Sequence, residues 1–200
     1  MNDIQKILEF FRIAIKMKET YRFTPKKDNG FENDAEHTWS VTMLCMLLGN
    51  RVQKELGVDL DFERMLKMAI IHDIAEVLTG DTKTWDVNAR ISKEENERNA
   101  VEELFGQLPQ DLHDEFLSLW EECEAKMTVE AKIVKSLDRL EPVLHRVLHG
   151  YGWENLGDED PEKTVKALDD RQLARHEFSY VITELYQEIR SEALEKKMLS

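Results

Sequence analysis

Long apolar runs are missing from this 200-residue chain. The longest, MLCMLL at Met43–Leu48, falls far short of the ~18 residues that a membrane-spanning helix needs. Cysteine is scarce as well. Cys45 and Cys123 both lie in amphipathic helical patterns, nothing resembles CxxC spacing, and both read as core residues. Positive charge is in deficit: 27 Lys and Arg stand against 41 Asp and Glu, a formal net charge of -14. That balance argues against a nucleic-acid or anionic-membrane binder, which would carry a basic patch. A small anionic substrate remains possible, provided a cation in the site offsets the local field. Met1 is followed by polar and charged residues rather than a signal peptide, so the chain reads as cytoplasmic, soluble and reduced.

Four prolines and eight glycines, set among long 3.6-residue patterns, point to an all-α fold. With 42% hydrophobic and 34% charged residues there is material for one core, and the chain reads as a single domain over 1–200. Helices are expected at about 3–20, 35–56, 61–79, 92–106, 109–126, 128–149 and 161–197, a bundle of about six to seven. Asp34 is placed to cap the second helix and Gly57 to close it. Ser92 and Glu95 form an S-x-x-E capping pattern before the fourth, and Pro161 suits the first turn of the last. Two charged loops remain, at about 21–34 and 80–91. Loops of that length in a compact helical domain tend to be functional.

Polar residues on apolar helix faces carry the most information. His37 opens AEHTWSVTMLCMLL, His72 and Asp73 sit within KMAIIHDIAEVL, and Asp138 lies among Ile133, Val134, Leu137 and Leu140. Burying an ionised carboxylate costs several kcal/mol unless it is paired or bound to a metal. Each residue has a bland reading by itself. His37 would be a cap, Asp73 a salt-bridge partner, and Asp138 a member of a solvated face next to Arg139. Taken together on core-facing helices, two imidazoles and two carboxylates make a mixed nitrogen–oxygen set. Such a set suits one divalent ion of the Mn, Fe, Co, Ni or Zn type. Neighbours on a helix point about 100° apart, so His72 and Asp73 reach one ion only if it lies over the seam between them.

Glu76 stands four residues after His72, so it projects from the same helix face one turn along, beside the proposed ion. Pro142 removes the N–H that would bond to the carbonyl of Asp138, and a kink is expected there. Lys135 is either a second positive group at the site or a solvated surface lysine. His145 and His149 share a helix face but have no acidic partner nearby in the pattern, and a structural or surface role is favoured for both. His113 and His176 read as ordinary helix residues.

The order His37, His72-Asp73, Asp138 resembles the HD-domain metal-dependent phosphohydrolases. The words ENDAEH, HDIAEVLTGD and VKSLDRL look like the branch that contains the bacterial 5'-deoxynucleotidases of the YfbR type and their eukaryotic relatives. The resemblance runs from about Arg22 to about Leu140. It implies an HD-domain helical bundle, one divalent ion held by His37, His72, Asp73 and Asp138, and a homodimer. It also implies hydrolysis of the 5'-phosphate of (deoxy)nucleoside monophosphates by a metal-activated water. In that family the residue matching Glu76 works near the phosphate, and the one matching Asp81 is associated with the sugar. An Arg-Trp pair contacts phosphate and sugar there; this chain has Arg22-Phe23 at the same spacing from His37, with the indole replaced by a smaller ring. Two other readings stand beside this one. The first is an HD hydrolase of another phosphoester, a nucleoside triphosphate or a cyclic or bis-phosphorylated nucleotide, for which Lys26 and Lys27 are clear extra cations in the first loop. The second is a non-catalytic helical module that binds nucleotide or protein.

Overall fold

The computed structural model describes residues 1–27, 30–80, 87–150, 161–196 and 198, without the side chains of 87–92 and 161–164. Its order is α1 (Asp3–Ala14), a short 3-10 turn (Ile15–Lys18), β1 (Tyr21–Pro25), β2 (Phe31–Asn33), α2 (Asp34–Leu56), α3 (Phe62–Ile71) and α4 (Glu76–Thr79). Then follow α5 (Val87–Phe105), α6 (Gln110–Ala125), α7 (Val129–His149), α8 (Pro161–His176) and α9 (Tyr180–Glu195). No helix among the described residues is long and apolar enough to cross a membrane.

The core forms where apolar positions recur at three- and four-residue spacing. Val41, Cys45 and Val52 of α2 are buried, as are Met65, Met68 and Ala69 of α3. Ile133, Val134, Leu137 and Leu140 of α7 and Ile182, Tyr186 and Ile189 of α9 complete the centre. Helix α7 lies at the middle of the packing, against α2, α3, α6, α8, α9 and β1. Cys45 and Cys123 are both buried and free, as their helical settings predict.

Several expected boundaries move, each for a physical reason. Asn33, not Asp34, caps α2. Its side chain accepts from the Glu36 N–H while the Glu36 side chain reaches back to the Asn33 N–H, a reciprocal capping box. The first long loop contains a two-stranded antiparallel hairpin, with Tyr21 opposite Asn33 and Pro25 opposite Phe31. The aromatic and β-branched residues of YRFTP favour that extended pairing. The helix predicted over 61–79 stops at Ile71. Helix α5 begins at Val87, so Ser92 lies within it rather than ahead of it. The helix predicted over 161–197 is two helices. Ser179 caps α9 by accepting from the Ile182 N–H, and the Glu55 carboxylate takes the Tyr180 and Val181 N–H groups. An anion at a helix N-terminus satisfies donors that an uninterrupted helix would have used internally. Helix α7, by contrast, runs from Val129 to His149 with Pro142 inside it.

Gly57 closes α2 as expected, with φ +65 and its N–H bonded to the Gln53 carbonyl. Nothing lies within 4 Å of a Cβ built there, so a side chain meets backbone strain without a clash. Gly57→Ala is therefore expected to lower stability by about 1 kcal/mol in denaturant unfolding, and Gly57→Asn by clearly less. Equal losses for the two variants would contradict a purely conformational origin.

Candidate metal and phosphate site

Three elements converge on one buried point. The first turn of α2 brings His37, the segment after α3 brings His72 and Asp73, and the middle of α7 brings Asp138. One ligand atom from each of the four residues lies within 4.8 Å of the others. His37 Nε2 is 3.2 Å from Asp138 Oδ1 and 3.6 Å from Asp73 Oδ2. His72 Nε2 is 3.2 Å from Asp73 Oδ2 and 3.7 Å from Asp138 Oδ1.

The helix break at Ile71 makes this possible. From there the backbone tightens: the Ile74 N–H bonds to the Ile71 carbonyl at 3.1 Å and the Glu76 N–H to the Asp73 carbonyl at 2.9 Å. Three-residue closure of this kind turns the chain faster per residue than an α-helix does. His72 and Asp73 thus lie outside a regular helix, and both side chains reach the same point. Glu76 becomes the first residue of the single turn α4 rather than a member of the His72 face.

The donor set fits a divalent ion. The outward nitrogen of each imidazole is already engaged: His37 Nδ1 is 2.8 Å from Glu141 Oε2, and His72 Nδ1 is 2.8 Å from the Ala69 carbonyl. Hydrogen bonds of this kind fix the tautomer that leaves Nε2 as the ligand atom. His72 Nε2 is buried with no hydrogen-bond partner, as expected of a nitrogen whose partner is an ion. Without an ion the cluster holds protons instead. Burial works against the His72 imidazolium, but the nearby carboxylates of Asp73 and Asp138 outweigh it and raise His72 to about 10. Burial would likewise lift Asp138, yet Arg139 and Lys135 together with the two histidines hold its carboxyl well below the usual range.

Arg22 of β1 enters from the hairpin. Its Nη1 lies 2.7 Å from Asp73 Oδ2, 3.5 Å from Asp34 Oδ1 and 3.7 Å from Glu76 Oε2. Strand alternation then sets Phe23 on the opposite face, where it is 43% exposed; Arg22, and not Phe23, joins the cluster. Glu76 is buried between Arg22 and Lys93 of α5, whose Nζ lies 3.5 Å from Glu76 Oε1. Asp81 lies outside the described residues.

Several participants escape a reading from periodicity. Lys93, Asp34, Glu32 and Glu141 all touch the site or its supports. Spacing gives a faint signal for two of them: Asp34 is three residues before His37, and Glu141 three after Asp138, each pair on one helix face. Lys135 resolves to the site side: it is buried, with Nζ 2.7 Å from Glu124 and 3.7 Å from Asp138 Oδ2. His145 has acidic partners after all, supplied by the hairpin and by its own helix. Its Nδ1 lies 3.1 Å from Glu32 Oε1 and 3.8 Å from Glu141 Oε1. Its ring stacks on that of His149, with centroids 4.3 Å apart.

Comparison with known proteins points to one family. The sequence matches the HD domain family over residues 14–190. It is 32% identical over 146 residues to the 5'-deoxynucleotidase HDDC2 of Xenopus laevis, covering 70% of this chain and 67% of that protein. It is 34% identical over 135 residues to the 5'-deoxynucleotidase YfbR of Salmonella typhi, covering 66% of this chain and 67% of that one. A crystal structure of a predicted metal-dependent phosphohydrolase from Magnetospirillum magnetotacticum MS-1 superposes with a TM-score of 0.78. It is 31% identical and covers 99% of this chain and 96% of its own.

The His145 contacts predict a pH dependence. Burial disfavours the imidazolium, but Glu141 and Glu32 outweigh it and raise His145 to about 9. A folded-state pKa raised above the ordinary 6.5 gives stability that is complete below pH ~6.5 and lost as pH rises through ~9. In the metal-loaded protein, His145→Gln is expected to flatten the fall in Tm across that interval, and the wild-type His145 ring should titrate near 9 by NMR. A ring titrating near 6.5 would contradict the assignment.

Proposed function

The chain belongs to the HD domain family, and on that premise we propose that it removes the 5'-phosphate of (deoxy)nucleoside monophosphates as a divalent-metal-dependent phosphohydrolase. The observation that carries the reading is the convergence of His37, His72, Asp73 and Asp138 on one point with Arg22 2.7 Å from Asp73. The HDDC2 and YfbR relatives are 5'-deoxynucleotidases, which supports this substrate class. A non-catalytic module would have no use for four intact ligands with Glu76 beside them.

His37, His72, Asp73 and Asp138 would hold one ion of the Mn, Co, Fe, Ni or Zn type. Such an ion supplies Lewis acidity there, lowering the pKa of water and neutralising phosphoryl oxygen charge. The remaining work falls to side chains of the chain itself. Arg22 binds the phosphate through paired N–H donors, a geometry that a lysine cannot offer. Glu76 takes a proton from the attacking water as its oxygen bonds to phosphorus. As the bond from phosphorus to the 5'-oxygen breaks, Glu76 returns that proton to the leaving oxygen. Nucleoside and inorganic phosphate result. Asp81 is assigned to a sugar hydroxyl and Phe23 to the sugar neighbourhood, both by the family resemblance.

A homodimer fits the exposed apolar stripe on α2, where Trp39, Met46 and Leu47 are 65%, 54% and 55% exposed. Large exposed apolar side chains clustered on one helix face mark association surfaces. Two buried, free cysteines fit a cytoplasmic location.

Phosphate release from dNMPs and NMPs, with Co and Mn supplied, tests the reading. Asp73→Asn and Asp138→Asn are expected to lose both metal and activity, whereas Glu76→Gln keeps its metal and loses ~10²–10⁴ in kcat. Full activity in either aspartate variant would sink the assignment. Trp39→Glu should shift the protein from dimer to monomer in sedimentation; an unchanged mass would exclude that face.

A further inference from the structure

Beside the metal cluster lies a cavity of about 440 Å³ whose charge is opposite to that of the protein. Lys126, Lys132, Lys135, Arg139 and Arg175 line it, and Glu177 is the one acidic residue among the described lining residues. The chain as a whole carries -14. Lys132, Lys135 and Arg139 recur at three- and four-residue intervals along α7, which sets them on one face of that helix. Lys126 comes from the end of α6 and Arg175 from the last turn of α8, so three helices deliver cations to one hollow. Glu124 and Asp138 engage Lys135, and Asp138 engages Arg139. Lys126 and Lys132 make no ion pair among the described residues. Like charges gathered in this way repel one another unless an anion joins them.

Asp138 forms the partition. Its Oδ1 faces His37 and His72, while its Oδ2 faces Lys135 at 3.7 Å and Arg139 at 3.5 Å. We propose that this cavity is a second anion site, which takes a phosphate group other than the one being hydrolysed. The shared chemistry is a doubly charged phosphoryl oxygen set. It comes either from a second phosphate on the substrate or from a separate phosphorylated molecule. The inference rests on the phosphohydrolase reading for the identity of the first site. It also places cations from α7 and α8 beside the metal cluster, where a multiply phosphorylated substrate would need them.

The test uses metal-loaded wild type, the Lys132→Glu/Arg175→Glu variant, and a control with equal charge change elsewhere, Lys16→Glu/Lys54→Glu. All four positions are exposed. Titration with inorganic phosphate is expected to give two sites per chain in wild type and control and one in Lys132→Glu/Arg175→Glu. Hydrolysis of a deoxynucleoside 5'-monophosphate and its 3',5'-bisphosphate then separates the sources. If the substrate supplies the second phosphate, KM for the bisphosphate rises about tenfold in Lys132→Glu/Arg175→Glu alone, with KM for the monophosphate unchanged. If a separate molecule supplies it, the phosphate stoichiometry changes and neither KM does. Equal stoichiometry and equal KM values in the two double variants would overturn the proposal. A wild type that hydrolyses no nucleotide would overturn the phosphohydrolase reading instead, and the phosphate titration would still decide this one.

Discussion

A carboxylate in the middle of a core helix must be compensated from both of its oxygens, and Asp138 is compensated on each. His37 and His72 stand at Oδ1, Lys135 and Arg139 at Oδ2, while Leu137 and Leu140 beside it are fully buried. Side chains must therefore do what water would otherwise do. That requirement explains why α7 sits centrally. A helix carrying this aspartate has to be packed by α2 on one side and α3 on another, because those elements deliver the imidazoles. Core packing and site assembly are thus the same constraint read at two scales.

The compensation extends outward as a ring of side chains. From His37 it passes to Glu141, from Glu141 to His145, and from His145 to Glu32. Glu32 Oε2 lies 4.0 Å from Arg22 Nε, and Arg22 returns to Asp73. A two-stranded hairpin is marginal by itself. Here it carries Arg22 and Glu32 on adjacent strands, and those two residues close the ring. The orientation of an α2 histidine and that of a hairpin arginine become coupled through α7. Burial would raise Glu141, but His145 and His37 draw it down to about 2.

Much of this was legible in the sequence because it depends on local chemistry. The helical periodicities of α2, α6 and α7, the closing Gly57 and the four polar residues on apolar faces all express constraints within a few residues. What was not legible depends on distant partners. Near Glu177–Ser179 the one local sign of a helix break is the capping Ser179, and the carboxylate that also stabilises it, Glu55, is more than a hundred residues away. The acidic partners of His145 come partly from the hairpin, and Lys93 reaches Glu76 from α5. The cations of the second cavity were visible singly, as residues of helix surfaces. Only the packing of α6, α7 and α8 shows that they face one hollow.

The stretch from Met68 to Thr79 shows how function departs from the most stable local choice. A regular helix through Thr79 would satisfy its backbone fully and place Glu76 one turn from His72 on the same face. It would also direct His72 and Asp73 about 100° apart. The observed chain instead ends α3 at Ile71 and closes the next residues with tighter three-residue bonds. Hydrogen-bond geometry is poorer there. In exchange, two consecutive side chains meet at one point, with His72 Nε2 3.2 Å from Asp73 Oδ2. Glu76 moves off that point to stand between Arg22 and Lys93. The break thereby separates the groups proposed to hold an ion from the group proposed to move a proton, a division of labour that a continuous helix could not make with the same residues.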